Sequence, residues 1–168
     1  MYIETKRLVI KPFSEEDKAN AIKLFVNDRI KQTYMLPDFQ SEEEAKKLFY
    51  RLKELSLSEE HYLAGIYRDH KLIGFLNDVE IAGDKIEMGY VIDPKCHNQG
   101  YATEAMQGAI GYLFDDGFTE VITGAFESNI PSIKVMQKCG MARLEKEEDI
   151  EYRGRMHHCI YYSAKYKK

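Results

Sequence analysis

Asp93-Pro94-Lys95-Cys96-His97-Asn98-Gln99-Gly100-Tyr101-Ala102-Thr103-Glu104-Ala105 is the stretch on which the reading of this chain turns. An extended apolar run over residues 86–92 meets Pro94 and a short polar turn. From Gly100 onward, apolar residues recur at helical spacing. A helix that opens at a glycine offers backbone N–H groups without intrahelical partners, together with the positive end of its dipole, and the two suit a phosphate. The plainer alternative is a tight turn that uses glycine only for its backbone freedom. A second strand, turn and helix shift the balance: Glu127-Ser128-Asn129-Ile130-Pro131-Ser132 leads into a short helix that ends near Cys139-Gly140-Met141.

In these motifs the chain resembles the GNAT superfamily of acyl-CoA-dependent N-acetyltransferases. Within it, the resemblance is to the branch of ribosomal-protein N-terminal acetyltransferases and spermidine acetyltransferase. Residues 3–13, opening Ile3-Glu4-Thr5-Lys6-Arg7-Leu8, resemble that branch's first strand, typically ET-R-L-x-L-R. Glu87-Met88-Gly89-Tyr90-Val91-Ile92-Asp93-Pro94 and Gly100-Tyr101-Ala102-Thr103-Glu104-Ala105 resemble the pyrophosphate-binding signature. Asn129-x-x-Ser132 through Gly140-Met141 resembles the second cofactor motif. The likeness covers nearly the whole chain.

Bulk properties narrow the field independently. At 168 residues the chain has the size of one domain, and a single N-acetyltransferase domain over residues 1–168 is expected. Hydrophobic residues at 44% and charged residues at 31% place it among ordinary globular proteins. A net charge of −4 with scattered basic residues lacks the footprint of direct nucleic-acid binding. No run approaches the ~18 apolar residues of a membrane span, and the N-terminus opens with a charged strand, so no membrane association and a cytoplasmic location are expected. Cys96, Cys139 and Cys159 lie far apart without metal-ligand spacing, so they read as reduced thiols and no metal is expected.

Periodicity supplies a scaffold. Residues 4–13 read as one strand. Ser14-Glu15-Glu16-Asp17 caps a helix that carries Ala21, Leu24 and Phe25. Ser41-Glu42-Glu43-Glu44 is a capping box before the stripe Ala45, Leu48, Phe49, Leu52 and Leu55. Strands over residues 62–67, 72–81 and 85–92 form a meander joined by turns at Asp69-His70 and Ala82-Gly83-Asp84. A helix with Ala105, Met106, Ala109, Ile110, Leu113 and Phe114 inward stops at Gly117, before a strand over residues 120–126. Strands at 142–152 and 156–166 close the chain around Arg153-Gly154. With the resemblance, the expected fold is α/β (α+β): a GNAT-like mixed, mostly antiparallel sheet of seven strands, four flanking helices and a splayed parallel pair.

The resemblance implies acetyl-CoA as co-substrate and assigns roles by position. The amides of His97, Asn98, Gln99, Gly100, Tyr101 and Ala102, with Thr103 adjacent, would cradle the pyrophosphate. His97 and Asn98 depart from the usual family residues; Asn tolerates left-handed backbone angles, and His97 reads either as a phosphate partner or as a solvated loop histidine. Backbone groups of Tyr90, Val91 and Ile92 would pair with the pantetheine amides. Asn129 would hydrogen-bond the pantetheine, or serve simply as a helix N-cap. Ser132 would reach the departing sulfur, or only the helix terminus. The position of the family's tyrosine acid holds Met136, which donates no proton.

For the general base, Glu87 is the first candidate, against a reading as a strand glutamate paired to a lysine. Glu80, Asp78 and Glu145 are reserves, because a bulge would change which side chains face the site. His157 and His158 point to opposite faces of one strand and read as structural. The acceptor implied is a primary amine: a ribosomal-protein N-terminus, a polyamine or a small-molecule amine. The loops at 34–40 and 56–61, with Asp38, Glu59 and Glu60, would wall it. A non-catalytic acyl-CoA sensor and an unrelated nucleotide-phosphate binder are the alternatives, and the protein reads as a monomer or homodimer.

Overall fold

The computed structural model describes residues 1–167. The chain divides into two compact units, the first of residues 1–77 and 90–105, the second of 78–89 and 106–168. Eight strands form one sheet: β1 (Ile3–Glu4), β2 (Val9–Lys11), β3 (Ala64–Arg68), β4 (Lys71–Ala82), β5 (Lys85–Ile92), β6 (Glu120–Phe126), β7 (Ala142–Tyr152) and β8 (Arg155–Lys165), in the order β1-β2-β3-β4-β5-β6-β8-β7. The helices are α1 (Lys18–Phe25), α2 (Asp28–Lys31), α3 (Glu42–Ser56), α4 (Tyr101–Asp115) and α5 (Ile130–Lys138). The mixed, mostly antiparallel sheet stands as the sequence implies. Its eight strands and five α-helices, among the described residues, exceed the expected seven and four by one each.

Both additions lie in the first unit. The expected strand over residues 4–13 is broken into the antiparallel pair β1 and β2. The Thr5 N–H donates to the Leu8 carbonyl (2.9 Å) and the Leu8 N–H to the Thr5 hydroxyl (3.0 Å), which closes a turn within the run. Helix α2 is one turn long, too short to show a period. Asn27 caps it, accepting from the N–H groups of Arg29 and Ile30. It buries Ile30 and also Lys31, whose ammonium lies 3.1 Å from Asp38. Helix α3 begins where expected, with Ser41 accepting from the Glu44 N–H. The Glu44 carboxylate, however, accepts from the Gln40 N–H (2.8 Å) instead of that of Ser41, so the reciprocal half of the box is displaced by one residue.

The core of the first unit gathers the apolar stripes of α1 and α3 against β3 and β4. Phe25 meets Phe75 edge-on at 5.9 Å, and Phe13 meets Phe49 at 6.1 Å. Burying a large apolar side chain contributes about 1.5–3 kcal/mol, so this cluster anchors the unit. One buried polar contact crosses it: the Tyr67 hydroxyl donates to Asp17 at 2.6 Å, and burial followed by the Asp17 charge keeps the phenol protonated.

In the second unit, β5 and β6 run parallel, with Lys85 opposite Glu120 and Glu87 opposite Ile122. The Lys85 ammonium lies 3.0 Å from the buried Glu120 carboxylate, and Thr119 donates to Asp84 at 2.6 Å, which pins the register. Strand β6 alternates closely with β8 and buries Phe126, Cys159 and Tyr161 as a small cluster on one face. Strand β7 departs from ladder geometry. Between the pairs Arg143–Tyr162 and Glu147–Ile160, three residues of β7, numbers 144–146, stand opposite Tyr161 alone.

One close approach governs the middle of the first unit. A Cβ at Gly74 of β4 would lie 2.1 Å from the Val91 carbonyl oxygen of β5, a backbone atom unable to swing aside. Gly74→Ala is expected to cost about 1–3 kcal/mol through forced strand separation, and the melting temperature should fall by roughly 2–4 °C per kcal/mol. An unchanged melting curve would refute this approach.

Candidate active site

The residues assigned to the cofactor fall partly in each unit. In the first, Tyr90, Val91 and Ile92 end β5, with Val91 and Ile92 buried. The chain then turns through a short 3-10 segment, Pro94–Cys96, capped by the Asp93 carboxylate, which accepts from the Lys95 N–H at 2.9 Å. The Asp93 N–H donates to the Ile73 carbonyl at 2.7 Å and ties the turn to β4.

Two left-handed residues then reverse the chain, Asn98 at φ 59° and Gly100 at φ 80°. Asparagine and glycine are the residues that take this conformation at least cost, so Asn98 fulfils the tolerance expected of it. Gly100 is the N-cap, its carbonyl accepting from the Glu104 N–H at 3.0 Å. No helical carbonyl stands behind the amides of Gly100, Tyr101 and Ala102. His97 is exposed on this turn, as a solvated loop histidine would be, with its ring bonded back to the end of β5. Its ring Nε2 lies 2.9 Å from the Ile92 carbonyl, and since a carbonyl only accepts, Nε2 carries the proton.

Sequence reading missed the residues that brace this turn. Glu104 of α4 accepts from the Thr5 hydroxyl (2.7 Å), the Arg7 backbone N–H (2.7 Å) and Arg7 Nε (2.6 Å). Arg7 Nη1 donates to the Gln99 carbonyl at 2.9 Å. Burial opposes the Glu104 charge, but the hydrogen bonds from Thr5 and Arg7 outweigh it and hold the carboxyl below its ordinary range. The buried Tyr101 ring receives the guanidiniums of Arg7 and Arg68, 4.6 and 5.2 Å from its centroid. The available signal was the Thr5-x-Arg7 motif, whose partner lies beyond the reach of local patterns.

In the second unit, Asn129 caps α5, its side-chain oxygen accepting from the Ser132 N–H at 3.3 Å. The capping role is thus realised, and the side-chain amide N–H groups are not consumed by this bond. Pro131 stands in the first turn, where its missing N–H costs nothing. Met136 is fully buried, so the position of the family's tyrosine supplies packing rather than a proton.

Glu87 lies half-buried on β5, 3.6 Å from the Lys146 ammonium. The lysine pairing foreseen as the plain alternative is therefore present. Burial raises the Glu87 carboxyl above the ordinary carboxylate value; Lys146 pulls it down, Glu148 and Glu80 push it up, and the sum is upward. Lys146 belongs to the β7 bulge, which aims its ammonium over the Tyr161 ring at 4.1 Å. The Tyr161 hydroxyl donates to Glu148 at 3.1 Å. Lys146 and Glu148 were not singled out from sequence, because the bulge resets which side chains share a face, and Tyr161 was read only as packing a strand edge. Of the reserve carboxylates, Glu80 and Glu145 are exposed and Asp78 is half-buried.

Each of the three cysteines is a free thiol. Burial pushes the Cys96 thiol up, with Asp93 adding to the effect, and raises Cys139 to about 11, so neither is a ready nucleophile. Among the described residues no group of three His, Cys, Asp or Glu side chains is placed to hold a metal ion, and no helix is long and apolar enough to cross a membrane.

Residues 7–142 match the family described as an acetyltransferase (GNAT) domain. Over 146 residues the chain is 33% identical to the Bacillus subtilis (strain 168) protein named "Uncharacterized N-acetyltransferase YnaD", spanning 85% of this chain and 84% of that one. The chain belongs to the GNAT acetyltransferase family. Among solved structures, a GNAT-family acetyltransferase from Bacillus anthracis superposes with a TM-score of 0.84 at 24% identity, over 98% of both chains. The ribosomal L7/L12 alpha-N-protein acetyltransferase RimL, solved in complex with coenzyme A, gives 0.84 at 16% identity, also over 98% of both. These two likenesses speak for the fold.

The electrostatics of Glu87 yield a direct test. Titrated by carboxyl-resolved NMR, Glu87 should show a midpoint above the ordinary carboxylate value, and Lys146→Ala should raise it further by removing the nearest cation. A midpoint that falls in the variant would contradict the geometry.

Proposed function

We propose that residues 1–168 form one N-acetyltransferase domain that moves an acetyl group from acetyl-CoA directly to a primary amine, in the cytoplasm. The observation that carries this reading is the doubly left-handed turn through Asn98 and Gly100 into the amino terminus of α4, in a chain of the GNAT family. The residues present fit a diphosphate. Gly100 presents no side chain, a Cβ there would meet only the Arg7 guanidinium at 3.3 Å, and the adjoining amides lack helical partners.

In the proposed division of work, the amides of His97, Asn98, Gln99, Gly100, Tyr101 and Ala102, with Thr103 beside them, take the diphosphate. Tyr90, Val91 and Ile92 offer backbone groups to the pantetheine amides, and one N–H there polarises the thioester carbonyl. Asn129 donates its side-chain amide to the pantetheine. Glu87 accepts a proton from the incoming ammonium, through a water, and its raised affinity for protons suits that task. The amine nitrogen then bonds to the acetyl carbon as the carbon–sulfur bond breaks. The thiolate leaves with a proton supplied by Ser132 or by water, since Met136 has none to give.

The acceptor we infer is a protein N-terminus, a polyamine or a small-molecule amine. RimL is named for action on a protein alpha-amine, which supports the first. Of the carboxylates on the loops assigned to the acceptor, Asp38 is engaged by Lys31, which leaves Glu59 and Glu60 to attract a cation. Steady release of coenzyme A thiol with any member of a broad amine panel tests the reaction; binding without turnover would instead favour the sensor.

Two substitutions probe the assigned roles. Gly100→Glu, which adds bulk and negative charge beside the amides, should weaken acetyl-CoA binding by calorimetry more than about tenfold, the equivalent of 1.4 kcal/mol. Unchanged affinity would remove this turn from the site. Glu87→Gln should lower kcat by roughly 10²-fold or more below the pKa of the amine, and by much less above it, as loss of a general base requires. A variant that retains the wild-type pH profile would clear Glu87 of that role.

A further inference from the structure

The proposed function leaves one motif without work: Thr5-x-Arg7, which the sequence sets at the start of the chain and the structure places against the anion turn. We propose that Arg7, held by Thr5 and Glu104, is a positioning residue that sets the direction of the Gly100 N–H and so governs affinity for the diphosphate of acetyl-CoA. This inference rests on the assignment of that turn to the diphosphate.

The link between Arg7 and the Gly100 N–H is one peptide plane. The unit joining Gln99 to Gly100 is planar and trans, so its C=O and N–H point in opposite directions. Arg7 Nη1 takes the Gln99 carbonyl at 2.9 Å, which turns the Gly100 N–H away from the guanidinium. At φ 80° the next bond reverses the chain, and the Gly100 carbonyl enters α4 as the acceptor for the Glu104 N–H at 3.0 Å. Both faces of Gly100 are thereby fixed, one by Arg7 and the other by the helix.

Arg7 is itself fixed at several points. Its Nε and backbone N–H both reach Glu104, at 2.6 and 2.7 Å, and its plane lies 4.6 Å from the centre of the buried Tyr101 ring. Thr5 donates to the same carboxylate at 2.7 Å, which keeps the acceptor from rotating. A carboxylate in the first turn of a helix would by itself repel an anion bound there. Its presence is intelligible if its charge is spent on the arginine. Lysine cannot substitute, because a single ammonium lacks the planar fork that joins Glu104 and the Gln99 carbonyl at once.

Two charge-controlled variants test the idea, read with acetyl-CoA and with S-acetylpantetheine, a donor that lacks the diphosphate. Arg7→Lys keeps the charge and should raise KM for acetyl-CoA about tenfold, the scale of one charge-assisted hydrogen bond. Its kcat at saturating acetyl-CoA, and its kcat/KM for S-acetylpantetheine, should stay near wild type. Glu104→Gln removes a negative charge beside the site, so simple electrostatics predicts tighter acetyl-CoA binding, whereas loosening of Arg7 predicts weaker binding by a similar factor. Tighter binding in Glu104→Gln, or equal losses with both donors in Arg7→Lys, would overturn the positioning role. If wild-type protein fails to prefer acetyl-CoA over S-acetylpantetheine, the diphosphate assignment falls as well; if wild type discriminates and both variants do so equally, only the role of Arg7 is lost.

Discussion

Backbone amides can hold an anion only when several of them face the same way, and a polypeptide does not arrange this spontaneously. In the turn proposed to hold the diphosphate, two left-handed residues, Asn98 and Gly100, reverse the chain within the short connection from β5 to α4. Each end of that connection is tethered. The Asp93 amide is bonded to Ile73, the His97 ring to Ile92, and Arg7 to the Gln99 carbonyl. The core of the first unit, built on Phe25, Phe49 and Phe75, keeps the strands and helices that carry these tethers rigid. Side-chain cations alone would supply charge but no shape; the turn, in the proposed role, would supply both.

The second unit contributes chemistry of a different kind. The parallel pairing of β5 with β6 is fixed by Lys85 with Glu120 and by Thr119 with Asp84. Two residues along β5 from Lys85 stands half-buried Glu87, the base in the proposed reaction. The bulge in β7 brings Lys146 toward the Glu87 carboxylate. Two opposed influences therefore act on one carboxyl: burial makes it hold its proton more firmly, and the neighbouring ammonium loosens that hold. The balance lies on the side of a stronger base, which suits proton removal from an amine better than an ordinary surface carboxylate would.

Much of this was legible from the sequence where a period or a cap repeats. Helices α3 and α4 and strand β6 fall within a residue or two of their expected bounds because each carries an apolar stripe or run, and the hairpin of β7 and β8 does so because its turn is marked by Arg153-Gly154. The turn between β5 and α4 was legible from Pro94 and Gly100. What was hidden depended on partners far along the chain. Residues 4–13 alternate like one strand, yet Thr5 closes a turn whose hydroxyl is committed to Glu104, 99 positions away. Helix α2 is held by the Asn27 cap and by the burial of Ile30, which one turn of sequence does not announce. Lys146 could not be set against Glu87 by counting, since the bulge shifts the alternation of β7.

The separation between Thr5, Arg7 and Glu104 also says something about how the molecule comes into being. Contacts that join residues 97 and 99 positions apart close a large loop and cannot form until most of the intervening chain is in place. During synthesis the amino-terminal hairpin must wait, its carboxylate partner unmade, while α1 to α3 and β3 to β5 are laid down. The bracing of the proposed anion turn is thus among the later acquisitions of the nascent chain, and a polypeptide stalled short of Glu104 would own the hairpin without that brace.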